Sequence, residues 1–281
     1  MRHAIPILFA GALAFAAAPP KPLAIQNVAL SQYEDGPGLP ASSHFLPGET
    51  VCLSFQVSGY RATGEDEQSI KLAWSVEVKD PAGVPILEPQ AGRIAAGLAQ
   101  EDKNWMPKVR QSILVPPFAP SGVYRITMVV NDEVAKAEVR KEAEFQVRGR
   151  DVEPASELTL RNVHFYRGEE DKDPLTMAAY RPGDTVWVKF DIVGFKLGEQ
   201  NRFEVGYGIA VLRSNGETMF QQPEAAVEHG QTFYPQRYVP AALSLNLTKD
   251  LHPGEYAVIV TAADKVGGQK TETRQTFRVE Q

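Results

Sequence analysis

Histidine is the side chain best suited to proton transfer near neutral pH, and this sequence has five: His3, His44, His164, His229 and His252. No two are spaced as His-x-His or His-Glu-x-x-His, so no pair is set to share a metal ion. There is no Gly-x-Ser-x-Gly elbow to expose a nucleophile and no glycine loop to cradle phosphate. Gly206-Tyr207-Gly208 falls inside an alternating stretch and reads as a packing or bulge feature. Cys52 is the sole cysteine, so no intrachain disulfide and no cysteine-based zinc site can form. The acidic groups Glu34-Asp35, Glu65-Asp66-Glu67 and Glu169-Glu170-Asp171 with Asp173 offer hard oxygen atoms of the kind calcium takes. None has the Asp-x-Asp-x-Asp-Gly spacing of a calcium loop, and they read as solvated turns. We therefore expect no catalytic residue, no metal and no cofactor.

Aromatic residues are the remaining candidates. Trp105-Met106-Pro107 and Phe233-Tyr234-Pro235-Gln236-Arg237-Tyr238 lie in two long irregular segments. Trp187 sits on the outward face of an alternating run. Exposed rings are unfavourable in water, and aromatics beside arginine are favoured at interfaces. Trp187, Phe233, Tyr234, Arg237 and Tyr238 are thus the candidate binding surface, with Arg237 as its polar anchor. Two structural uses compete for them: covering an open edge of their own domain, and docking a neighbouring domain.

The elements that must position these residues are strands. Val186, Val188, Phe190 and Ile192 alternate with Thr185, Trp187, Lys189 and Asp191, and Val51, Leu53, Phe55 and Val57 form the matching set earlier. Trp74 and Tyr207 are expected to be buried on central strands. Asn215-Gly216 is a hairpin signal, and Pro47-Gly48 and Pro182-Gly183 are turns. The chain is also written twice. Asn27 and Asn162 lie 135 residues apart, as do Phe55 and Phe190; Tyr124 and Tyr256 lie 132 apart, as do Asp132 and Asp264. Two colinear copies of about seven strands each predict an all-β protein of two tandem β-sandwich domains, over residues 22–149 and 155–281.

The run Pro253-Gly254-Glu255-Tyr256 to Val260, the turn at Asp264 and the Phe277-x-Val279 end resemble the last strands of bacterial exported immunoglobulin-like or fibronectin III-like domains. Tyr124 and Tyr256 resemble the tyrosine-corner residue of that fold, and Trp74 and Tyr207 its strand-C aromatic. The resemblance implies a fold and no activity.

Residues 1–16 carry the order of a secretory signal peptide: basic Arg2, apolar Ile5–Ala14, then small residues before Ala17. We expect an exported, periplasmic or extracellular protein. No later stretch approaches the roughly 18 apolar residues that a membrane-spanning helix needs. With a net charge of −6 and dispersed lysines and arginines, a nucleic-acid partner is not expected. The function these observations suggest is non-catalytic binding or scaffolding of an extracytoplasmic protein or glycan. An accessory or inhibitor-like protein presenting a loop to a secreted hydrolase is the alternative, with a periplasmic chaperone ranked after it.

Overall fold

The computed structural model describes residues 21–40, 42–64 and 68–281. The expected signal peptide and Glu65-Asp66-Glu67 lie outside them. The first half supplies strands β1 (Ala24–Ser31), β2 (His44–Phe45), β3 (Thr50–Ser58), β4 (Gln68–Lys79), β5 (Gln90–Leu98), β6 (Lys108–Leu114), β7 (Gly122–Asp132) and β8 (Ala137–Val147). The second supplies β9 (Thr159–Tyr166), β10 (Ala179–Tyr180), β11 (Thr185–Val193), β12 (Phe203–Arg213), β13 (Thr218–Gly230), β14 (Tyr238–Asn246), β15 (Gly254–Asp264) and β16 (Lys270–Val279). Sheet order is β1-β3-β6 against β2-β8-β7-β4-β5 in the first half, and β9-β11-β14 against β10-β16-β15-β12-β13 in the second. The halves correspond strand for strand, and each pair of sheets encloses its own apolar core. The chain is two tandem immunoglobulin-like sandwiches, domains 1 and 2, related by duplication.

Each half has one strand more than expected. β2 and β10 are two residues long and pair parallel with the closing strand, too short to leave a period in sequence.

The polar fixtures of the fold recur in both copies. Tyr124 Oη donates to Pro120 O at 3.0 Å and Tyr256 Oη to His252 O at 2.7 Å, which makes both tyrosine corners. Buried Asp132 accepts Val134 and Ala135 N–H on one oxygen and Arg61 N–H on the other. Asp264 does the same with Val266, Gly267 and Lys196. Each aspartate therefore ties the closing hairpin to the loop after the third strand of its copy. Asn27 and Asn162 take left-handed φ values of 49° and 53° at matching bulges, a conformation asparagine tolerates better than most residues. Gly59 and Gly194 are left-handed too, and a Cβ at either would overlap the carbonyl of Pro22 or Glu157 where the chain enters the first strand.

Tyr207 is buried as expected, edge-on to Phe190 with centroids 5.6 Å apart. Trp74 is a correction, because it is only half-buried. Its cross-strand partner on the edge strand β5 is Gly92, and the indole lies where a Cβ of Gly92 would be. The ring covers a gap in an edge strand instead of filling the centre of the core.

Gly206 and Gly208 serve a bulge, as their sequence context suggests. β13 inserts extra residues between Gln222 and Ala226, and Pro223 crosses so near Gly208 that no side chain fits there.

Candidate functional site

The five candidate residues do not form one surface. Tyr234, Arg237 and Tyr238 belong to the joint between the domains. Tyr234 and Tyr238 are each 6% exposed, and Tyr234 packs with the core of domain 1. Its hydroxyl donates to Asp80 Oδ2 at 2.8 Å, and Arg237 Nη2 donates to the same oxygen at 2.5 Å. The other oxygen of Asp80 accepts Ala82 and Val84 N–H, both at 2.8 Å, so the carboxylate also closes the β4–β5 turn. Burial, followed by the bond to Asp80, pushes the Tyr234 phenol well above its ordinary pKa. Tyr238 meets Phe118 of domain 1 edge-on at 5.4 Å. Of the two structural uses that compete with a ligand here, docking of the neighbouring domain is the one seen: domain 1 covers the rings of Tyr234 and Tyr238, which offsets the cost of exposing them, while Arg237 stays partly exposed at the rim of the joint.

The segment joining the domains is fastened as well. Ser121 Oγ donates to Gly149 O. Arg150 Nη2 donates to Asp191 Oδ2 at 2.7 Å, and its guanidinium lies 6.0 Å from the Tyr238 ring. Asp191 is wholly buried and also accepts Asn162 Nδ2 at 2.8 Å. A buried carboxylate without a cation would be strongly unfavourable, so Arg150 is held at this spot.

Phe233 is 49% exposed, and its carbonyl accepts Asn201 Nδ2. Trp187 lies elsewhere, half-buried on the outer face of the sheet β9-β11-β14. The joint does not reach it: Asp191, at the joint end of β11, is four residues or about 13 Å further along the strand. Cross-strand from Trp187 are Tyr166 and Ser244. Beside them Lys189 Nζ sits 4.6 Å from the Tyr166 centroid and donates to Glu169 O and Asp171 O at 2.5 and 2.7 Å. Lys189 thereby pins the acidic loop after β9 as the wall of a 480 Å³ groove. His164, Tyr166, Lys172 and Lys189 line it, together with Arg150 and Asn162. Sequence reading found Trp187 but missed Tyr166, although their common offset from Cys52 and Ser31 places them side by side.

Among the described residues no three His, Cys, Asp or Glu side chains are grouped to hold a metal ion. The described histidines sit on separate elements and are exposed. No described helix is long and apolar enough to cross a membrane.

No family model matches the chain, and no curated protein matches it. Among solved structures it is similar to the C-terminal domain of the antigen I/II polypeptide BspA of Streptococcus agalactiae. Identity is 10% over 92% of this chain and 100% of that one, with a TM-score of 0.29. The C-terminal domain of the Streptococcus pyogenes antigen I/II-family protein AspA gives 8% identity over 92% and 99%, with a TM-score of 0.28. Part of the Pseudomonas fluorescens alkylpurine DNA glycosylase AlkC gives 14% over 45% and 30%, also at 0.28. Likenesses this remote say nothing of what the chain does.

Proposed function

We propose that the chain is a non-catalytic, exported binding protein, whose outer β9-β11-β14 face takes an extracytoplasmic protein or glycan. The comparison between the two copies carries this reading. Trp187, Tyr166, Lys189 and His164 occupy the positions that in domain 1 hold Cys52, Ser31, Ser54 and Ala29, in the same strand register. Small residues satisfy the fold there, so the large ones in domain 2 are not a requirement of folding. Two aromatic rings beside a fixed ammonium group and an imidazole offer flat apolar area with hydrogen bonds at its rim. That combination suits a sugar ring or a partner's side chains. The loop-presenting inhibitor draws no support, since the long loops after β1 and β9 fold back, with Leu39 N–H on Leu30 O and Leu175 N–H on Phe165 O.

The test is binding by wild-type and Trp187→Ala protein to a glycan panel and to solubilised envelope proteins. The expected result is at least a tenfold loss for a ligand that wild type retains, with Tyr166→Ala behaving alike and the melting temperature little changed. A ligand held equally by both variants would place the site elsewhere.

A further inference from the structure

The joint has two halves, and the duplication leaves a second set of them unused. One half is the segment entering β14, which presents Arg237. The other is the β4–β5 hairpin, which presents Asp80. In domain 1, Ser58 and Met106 stand where Val193 and Tyr238 pair in domain 2, so Trp105 takes the place of Arg237. Asp80 N–H and Gly83 N–H close the β4–β5 turn on Val84 O and Asp80 O. Arg213 and Gly216 close the β12–β13 turn with the same two bonds, so Arg213 takes the place of Asp80. Trp105 therefore lies at the far end of domain 1 and Arg213 at the far end of domain 2. Both are open to solvent, the indole residue 40% and the Arg213 side chain 54% exposed, and Arg213 Nη1 donates to Glu217 Oε2 of its own hairpin at 3.1 Å, an exposed pair that leaves the face of the guanidinium free.

We propose that copies of this chain associate head to tail, the Trp105 end of one receiving the Arg213 end of the next. In the joint the cation is on the strand-entry segment and its acceptor on the hairpin. At the free ends the cation is on the hairpin and an aromatic face is on the segment. A guanidinium over an indole is the favourable cation–π arrangement. Trp105 follows the short turn that carries Glu101 and Asp102, where the Asp102 carboxylate accepts Ala99 N–H, and the Trp105 carbonyl accepts the Tyr60 hydroxyl, which holds the segment in place. The match is not complete. The Phe118–Tyr238 contact is replaced by Asp250 and Met106, and no covalent segment holds the ends together. Association is therefore reversible and weaker than the joint. The interface is heterologous, so it leaves a free end on every assembly and gives open chains of copies.

Sedimentation velocity over a rising concentration series of the exported chain tests this. Wild type should show a rising weight-average sedimentation coefficient. Trp105→Ala and Arg213→Glu should each stay monomeric. An equimolar mixture of the two should form dimers and stop there, because it contains one intact head and one intact tail. Trp187→Ala should associate like wild type, which separates this proposal from the binding face. A wild type that stays monomeric up to about millimolar concentration, the effective concentration of a short linker, would overturn it. So would variants that still assemble, or a mixture that gives no dimer.

Discussion

Replacing Asp80 with asparagine isolates the joint. An asparagine carbonyl keeps the two turn bonds to Ala82 and Val84 N–H, so the β4–β5 hairpin is spared. The amide NH₂ then faces the Tyr234 hydroxyl and Arg237 Nη2. The phenol oxygen can accept as well as donate, so that contact survives with its direction reversed. The guanidinium has donors only, so its charge-assisted bond is lost, at about 1.5–3 kcal/mol. The Arg237 side chain is 38% exposed and can turn to water, which puts the cost near the lower figure. We expect Asp80→Asn to destabilise the two-domain chain by ~1.5–2 kcal/mol in denaturant unfolding. In a double-mutant cycle with Arg237→Gln, the pair should be little worse than either single variant. ¹⁵N relaxation should show domains that tumble as one body in wild type and less tightly coupled in Asp80→Asn. Two effects that add to within ~0.3 kcal/mol would show that the residues do not interact, and the account of the joint would fall.

Two further outcomes follow from comparing the copies and from burial. Leu30 stands where domain 2 has Phe165, whose ring meets Tyr180 and Phe277. Domain 1 has instead a 640 Å³ cleft beside Leu30, Phe45 and Phe145, so Leu30→Phe should stabilise it by ~0.5–2 kcal/mol, and a lowered unfolding midpoint would refute the equivalence. Burial, with the Asp80 charge second, raises Tyr124 to about 12, and burial raises Tyr180 to about 12. Unfolded tyrosine ionises near ~10, so their neutral forms cost nothing below that pH, and stability falls as pH rises from about 10 to about 12. Absorbance at 295 nm should show these phenols ionising together with unfolding, whereas ionisation complete by about pH 10.5 in folded protein would contradict their burial.

What the sequence made legible was set by local physics. Period-two runs such as Thr185–Val193 became strands at their expected bounds, because alternation is decided by which side chains reach water. The offsets between copies identified the tyrosine corners and the Asp132 and Asp264 turns, because each is completed within one domain. Trp74 was misjudged because its surroundings depend on Gly92 across the sheet, which alternation along β4 does not encode. Asp80 drew no attention at all: its partners lie 154 and 157 residues away, and in sequence it is one more turn aspartate. The aromatic segment at 233–238 was recognised as needing cover. What covered it depended on how one domain sits on the other, which no local pattern states.

The differences between the copies also decide which ends can meet. A second domain 2 placed on the far end of domain 2 would bring Arg237 against Arg213, a second cation whose carboxylate partner, Glu217, is already engaged, and would deny Arg237 the buried Asp80 acceptor it has in the joint. A second domain 1 placed on domain 1 would bring the Trp105 face against the Asp80 carboxylate, leaving that buried acid without its arginine and hydroxyl. Both pairings are disfavoured by like charge or by an unpaired buried group, and such terms set specificity as much as attraction does. Two pairings remain complementary: Arg237 with Asp80 inside one chain, and Trp105 with Arg213 between chains. Had both copies kept identical ends, every domain could dock on every other, and the order of domains along an assembly would be undefined. Because the copies differ at these ends, with Trp105 in the place of Arg237 and Arg213 in the place of Asp80, each end has a single partner.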